Sequence, residues 1–257
     1  MEILSGFGPP HVWMIACLIA LGAGLVKGVV GFAMPTILIS GLSSLVSPEL
    51  ALACLIVPTV LTNAWQALRQ GWSEALGSLR RFWVFMAVGG VVMVGSAQLV
   101  PLLPPAALLL IIGVPLVAYA LSALMGRPLR LPPRPGWRIE AGIGAVTGFL
   151  GGLTGVWGPT TVAMLTALQT PKREQVRVQG VIYGMGAVVL AFSHWGSGVL
   201  NAQTLPLSLA LVVPCLAGVW IGFQVQDRID QGLFRRLTLV VLLLAGLNLL
   251  RRGLMGF

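Results

Sequence analysis

The chain has 257 residues, 57% hydrophobic and 9% charged, with a formal net charge of +9; soluble domains carry about 25% charged residues. So thin a polar complement excludes a water-soluble fold, and runs longer than the ~18 apolar residues of a membrane-spanning helix put lipid in water's place. The runs do not alternate polar and apolar residues as barrel strands do, and Lys and Arg lie in short loops between them; this excludes a barrel and a nucleic-acid footprint.

Eight apolar segments are predicted, at 11–46, 48–68, 82–101, 104–125, 139–168, 176–195, 204–225 and 235–252. The first has 36 residues, well over the ~20 that one helix needs to cross a bilayer. It contains GLVKGVVGFAMPT (24–36), with three glycines, a proline and Lys27. Helix breakers in mid-segment predict a re-entrant helical hairpin with its tip deep in the membrane. Proline is favoured in the first turn of a helix, so Pro35 is expected to start the second arm and leave the Thr36 N–H facing the break. Helix N-termini attract anions, and Gly28 and Gly31 would let backbone approach a small ligand closely. Lys27 adds a charge that is expensive in lipid, which makes a functional role its default reading.

The segments at 48–68, 82–101 and 104–125 read as three plain spans. Asn63 is the candidate site residue among them, because the helix after a hairpin packs against it. Gln66, Gln179 and Asn248 read as interhelical hydrogen bonders. A linker at 126–138 with four prolines and four arginines follows; it predicts an aqueous, cytoplasmic midpoint.

Beyond it the pattern returns. The segment 139–168 carries GLTGVWGPT (152–160), which matches GVVGFAMPT (28–36) as G-x-x-G-x-x-x-P-T. A proline follows each motif (Pro48, Pro171), and GGVVMVG (89–95) is echoed by AGVWIG (217–222). The reading is an internal duplication: repeat one at 1–125 with hairpin 11–46 and three spans, repeat two at 139–257 with hairpin 139–168 and three spans. Candidate site residues of the second hairpin are Gly152, Gly155, Trp157, Gly158, Pro159, Thr160 and Thr161. Trp157 would narrow the site or close a gate, and Gly151 stands where Lys27 would align.

Loops at 69–81, 172–177 and 227–236 are cationic, whereas those at 43–49, 100–105 and 194–204 are basic-free. The positive-inside rule places the first set and the linker in the cytoplasm only if both long segments enter and return. The second repeat is then inverted, the N-terminus lies outside, and the two tips are expected to approach each other near the midplane. Arg251 and Arg252 run against this topology.

With both motifs in place, the chain resembles the TauE/SafE family of sulfite and organosulfonate exporters, over essentially its whole length. The resemblance implies export of a small anion, sulfite or sulfoacetate-like, across a bacterial inner membrane. No cofactor or metal motif is present, and the three cysteines are unpaired core residues. No carboxylate lies clearly in mid-span, so proton coupling has no visible relay; sodium coupling through carbonyls would leave no trace. Partners are then a small anion and the bilayer, with the oligomeric state not legible. The alternatives are a membrane enzyme acting on an anionic lipid headgroup, which needs mid-membrane acid and base residues, and an anion channel, which differs in turnover.

Overall fold

The structure, a computed structural model, describes residues 9–99, 104–132, 135–154 and 158–255. These form eleven helices and no strand. The first long segment divides into α1 (Pro10–Val30) and α2 (Met34–Leu42), and the fifth into α7 (Trp137–Thr154) and α8 (Gly158–Ala167). The plain spans become α3 (Pro48–Leu68), α5 (Trp83–Ala97), α6 (Pro105–Leu124), α9 (Lys172–Gly196), α10 (Leu205–Arg228) and α11 (Gln231–Met255). Six of the eleven helices, α1, α3, α6, α9, α10 and α11, are long and apolar enough to cross a membrane. Large apolar side chains at their surfaces, such as Phe192 (76% exposed) and Val213 (73%), suit acyl chains and not water.

All three cationic loops are largely helical, and residues 227–236 keep only 229–230 between α10 and α11. Residues 72–81 form α4 (Trp72–Arg81), bent by 63° from α5. Its sequence, WSEALGSLRR, has Glu74 in the first turn and Arg80 and Arg81 in the last, which suits the helix dipole at both ends. Residues 172–177 are the opening turns of α9, entered directly after Pro171. The linker is not wholly free either, since Leu131 N–H donates to Ala167 O at the end of α8 (2.9 Å). Glu140 is buried and paired with Arg81.

The chain clusters into two compact units that cut across the two sequence halves. One runs to Ala75 and resumes from Val176 to Asp230; the other takes Leu76–Gln175 and the chain from Gln231 on. In the first unit α1 packs on α10, α10 on α3, and α2 on both α1 and α3. Ala16, Ala20 and Ala23 of α1 meet Met34, Leu38 and Leu42 of α2, together with Ala51 and Cys54 of α3 and Leu211 and Cys215 of α10. Their spacings of three and four residues give each helix one inward stripe. The α1–α10 contact is backbone to backbone. A Cβ on Gly28 would strike Val219 O and Gly222, and one on Gly222 would strike Leu25 O and Gly28. Such small-residue seams are how helices associate where lipid removes the hydrophobic drive.

In the second unit α7 packs on α5 and α11 on α6. The α5–α7 seam has the same construction, with Gly148 against Gly89 and Gly152 against Met93 and Ser96. Each unit therefore joins the first arm of one half's hairpin to the helix carrying the other half's glycine echo. Ser96 also lies within hydrogen-bond reach of Gly148 O (3.4 Å).

One proline kink is internally satisfied. Pro58 inside α3 cannot donate to Cys54 O. Ser208 Oγ of α10 donates to that oxygen (3.1 Å) and accepts from Val57 N–H (3.2 Å). Lipid offers no such partner, so a hydroxyl from the next helix supplies it.

Candidate functional site

The first hairpin break begins at Gly31, whose φ of 90° is in the left-handed region that only glycine enters freely. Its N–H donates to Lys27 O (2.7 Å), which closes α1. Ala33, also at positive φ (74°), then turns the chain into α2. Pro35 is the second residue of α2, as the sequence predicts of a proline starting that arm. The second break ends in the same register: α8 opens Gly158-Pro159-Thr160 where α2 opens Met34-Pro35-Thr36.

Polar side chains from two other helices hold the first break. Gln66 Nε2 of α3 donates to Gly31 O (2.9 Å) and to Val176 O (2.7 Å). Gln179 of α9, with its amide oriented to suit its neighbours, donates to Val30 O (3.2 Å) and Gly31 O (2.9 Å). Gln66 and Gln179 thus cap the carbonyl end of α1, and both are buried. Gly180 lets α9 come close enough, since a Cβ there would strike Ala67 N at 2.5 Å.

Lys27 lies one turn before the break and is 1% exposed, the first of the protein's largest fully buried side chains. Its Nζ donates to Asn63 Oδ1, its one hydrogen-bond partner among the described residues. Among those residues no carboxylate lies within ion-pair distance of it. Asn63 keeps its Nδ2 donors, and Gln66 Oε1 is buried without a partner. The backbone N–H groups of Phe32, Ala33, Met34 and Thr36 make no hydrogen bond among the described residues. The break therefore has the Val30 and Gly31 carbonyls occupied and several N–H donors unused, an excess of donors over the one orphan acceptor that suits an anion.

Two arginines lie nearby at the same end of this unit, already engaged. Arg69 pairs with Asp227 (2.5 Å), donates to Gln226 Oε1 (2.7 Å) and stacks over Phe223 at 4.0 Å. Arg177 pairs with Glu74 (3.0 Å) and donates to Gln70. Each thus already has a carboxylate partner.

The predicted residues divide accordingly. Lys27, Gly31 and Asn63 come together at the first break. Gly28 is in the α1–α10 seam, and Thr36 is exposed on α2. Gly152 lies in the α5–α7 seam, and Pro159 and Thr161 are buried in the second unit with Thr160 half-buried. Gly155 and Trp157 fall outside the described residues. Gln66 and Gln179 bond between helices as expected, but what they bond is the broken backbone itself; their signal was Gln66 three residues after Asn63, one turn along the same face.

The tip of the first hairpin does not sit half-way along its helices. Gly41 of α2 packs on Ile19 of α1, so α2 folds back along α1. Gly31 is level with Gln66, two residues from the end of α3, and Lys27 is level with Asn63. In the second unit Gly152 is level with Met93–Ala97, the end of α5. The arms are unequal: α1 has 21 residues, about 31 Å, and α2 only 9, about 13 Å. The break thus falls toward the helix ends and not at mid-height as expected from the segment.

A glycine-broken hairpin among apolar spans, with the Val30 and Gly31 carbonyls of its break held by buried amides, fits a multi-pass membrane protein built as transporters are. Residues 16–249 match the family described as "Sulfite exporter TauE/SafE". The chain belongs to that family and is a membrane transporter of sulfite-type anions. No curated protein and no solved structure gives a significant match to it.

Proposed function

We propose that the protein exports a small anion, sulfite or an organosulfonate, across a bacterial inner membrane by alternating access. The anion is held at the first break. Lys27 and the Nδ2 group of Asn63 donate to its oxygens, and the N–H groups at the start of α2 complete the cradle. The Gly158-Pro159-Thr160-Thr161 turn is assigned the corresponding duty in its own unit. The observation that carries this reading is a fully buried lysine, with one neutral hydrogen-bond partner, beside helix-end N–H groups that nothing else uses. A buried charged group is retained in a membrane where it has work to do.

The test is sulfite counterflow in proteoliposomes together with anion binding by the purified protein. Lys27→Met is expected to weaken sulfite binding about tenfold to a hundredfold, the range of one charge-assisted hydrogen bond, with the protein still folded. Undiminished binding and flux in a folded Lys27→Met protein would remove Lys27 from the site.

A further inference from the structure

The second unit contains a cavity of ≈ 520 Å³ where α6 ends and α11 begins. Its walls include Leu124 and the linker residue Arg130 on one side, and Gly232, Arg235, Arg236 and Leu239 of α11 on the other. Three arginines and no carboxylate line it. Arg235 Nη2 is shut away from the surface and meets no hydrogen-bond acceptor. None of the three guanidiniums has an ion-pair partner among the described residues. This sets them apart from Arg69, Arg81 and Arg177, each of which has a carboxylate.

Three guanidiniums without a carboxylate line one cavity, and arginine's planar fork matches phosphate oxygens. We propose that this cavity is a second anion site, separate from the transport site, that takes a phosphate group. Basic pockets among the ends of membrane helices suit phospholipid headgroups, and the same chemistry would hold a free phosphate or pyrophosphate. Leu124 and Leu239 supply apolar lining beside the arginines.

Two arms distinguish the sources, both on the full chain. In one, the detergent-purified protein is melted against inorganic phosphate and pyrophosphate. In the other, native mass spectrometry follows phosphatidylglycerol retained from mixed nanodiscs, with phosphatidylcholine as the neutral comparison. Saturable binding in the lipid arm identifies a headgroup site, and saturable binding in the soluble arm a free-phosphate site. The triple change Arg130→Gln, Arg235→Gln, Arg236→Gln is expected to weaken whichever binding is seen about tenfold or more. The corresponding triple Lys protein should retain most of it, and Lys27→Met all of it. If the triple Gln protein fails to fold, the exposed single changes Arg130→Gln and Arg236→Gln carry the comparison. Arg251→Gln controls for bulk charge. The proposal is overturned if the wild type binds saturably in neither arm, if the Gln proteins bind as the wild type does, or if Arg251→Gln lowers binding equally.

Discussion

Gly31 shows how much of the site depends on one missing Cβ. Its φ of 90° disfavours any side chain, and a Cβ would also drive into the Gln179 amide that caps the break. The left-handed conformation alone costs an ordinary residue about 1–2 kcal/mol. Gly31→Ala is therefore expected to lower the melting temperature, and to lower it less when Gln179→Ala has already cleared the space. Equal losses in both backgrounds, read by thermal melts of the four proteins, would show that Gln179 is not what the new methyl meets. At this scale the sequence was partly transparent. Lys27 stood out because a charge in an apolar run has few structural excuses, and Asn63 followed from its place after a hairpin. Gln66 and Gln179 were seen but undervalued. A lone amide in a span ordinarily bonds another helix, and nothing local says that its target is a freed carbonyl.

Ser208 and Pro58 illustrate the same chemistry between elements. The proline frees Cys54 O in α3, and the hydroxyl that satisfies it comes from α10. Ser208→Ala is expected to destabilise the protein by about 0.6–1 kcal/mol, the range for interhelical hydrogen bonds in membranes. In a Pro58→Ala background the residue at 58 can donate to Cys54 O itself, so the loss should shrink. A chemical or thermal melt showing an undiminished loss would assign Ser208 another role. The helices themselves were legible because apolar length and glycine-proline punctuation are local signals. α3 was placed to the residue. α4 is hidden in the sequence because its charges read as loop charges, although Trp72, Ala75, Leu76 and Leu79 repeat at helical spacing. The unequal lengths of α1 and α2 were also hidden, since a run of apolar residues does not mark where its arms divide within a few residues.

For the whole molecule the sequence gives a topology that the charge rule can state and labelling can check. Cysteines introduced singly at Ser44 and at Arg173 are expected to react from opposite sides of the membrane, the first from outside and the second from the cytoplasm. Labelling of both from one side, or in the reverse sense, would dismantle the inverted arrangement. What no pattern in the chain announces is that compact units take helices from both halves. Duplication is read along the chain, whereas packing is decided by which glycine faces fit, and the GGVVMVG and AGVWIG echoes fit the first arm of the opposite half's hairpin.

The α1–α10 seam also constrains how any transport cycle can move. Side chains can change rotamer to let helices glide, but Gly24, Gly28, Gly218 and Gly222 have none to offer, and the backbones they expose already touch. A side chain at any of these four positions would strike a main-chain oxygen of the other helix. The pair is thereby locked against sliding and must travel as a single strut, so that Lys27, near one end of it, can be carried only by a swing of both helices together.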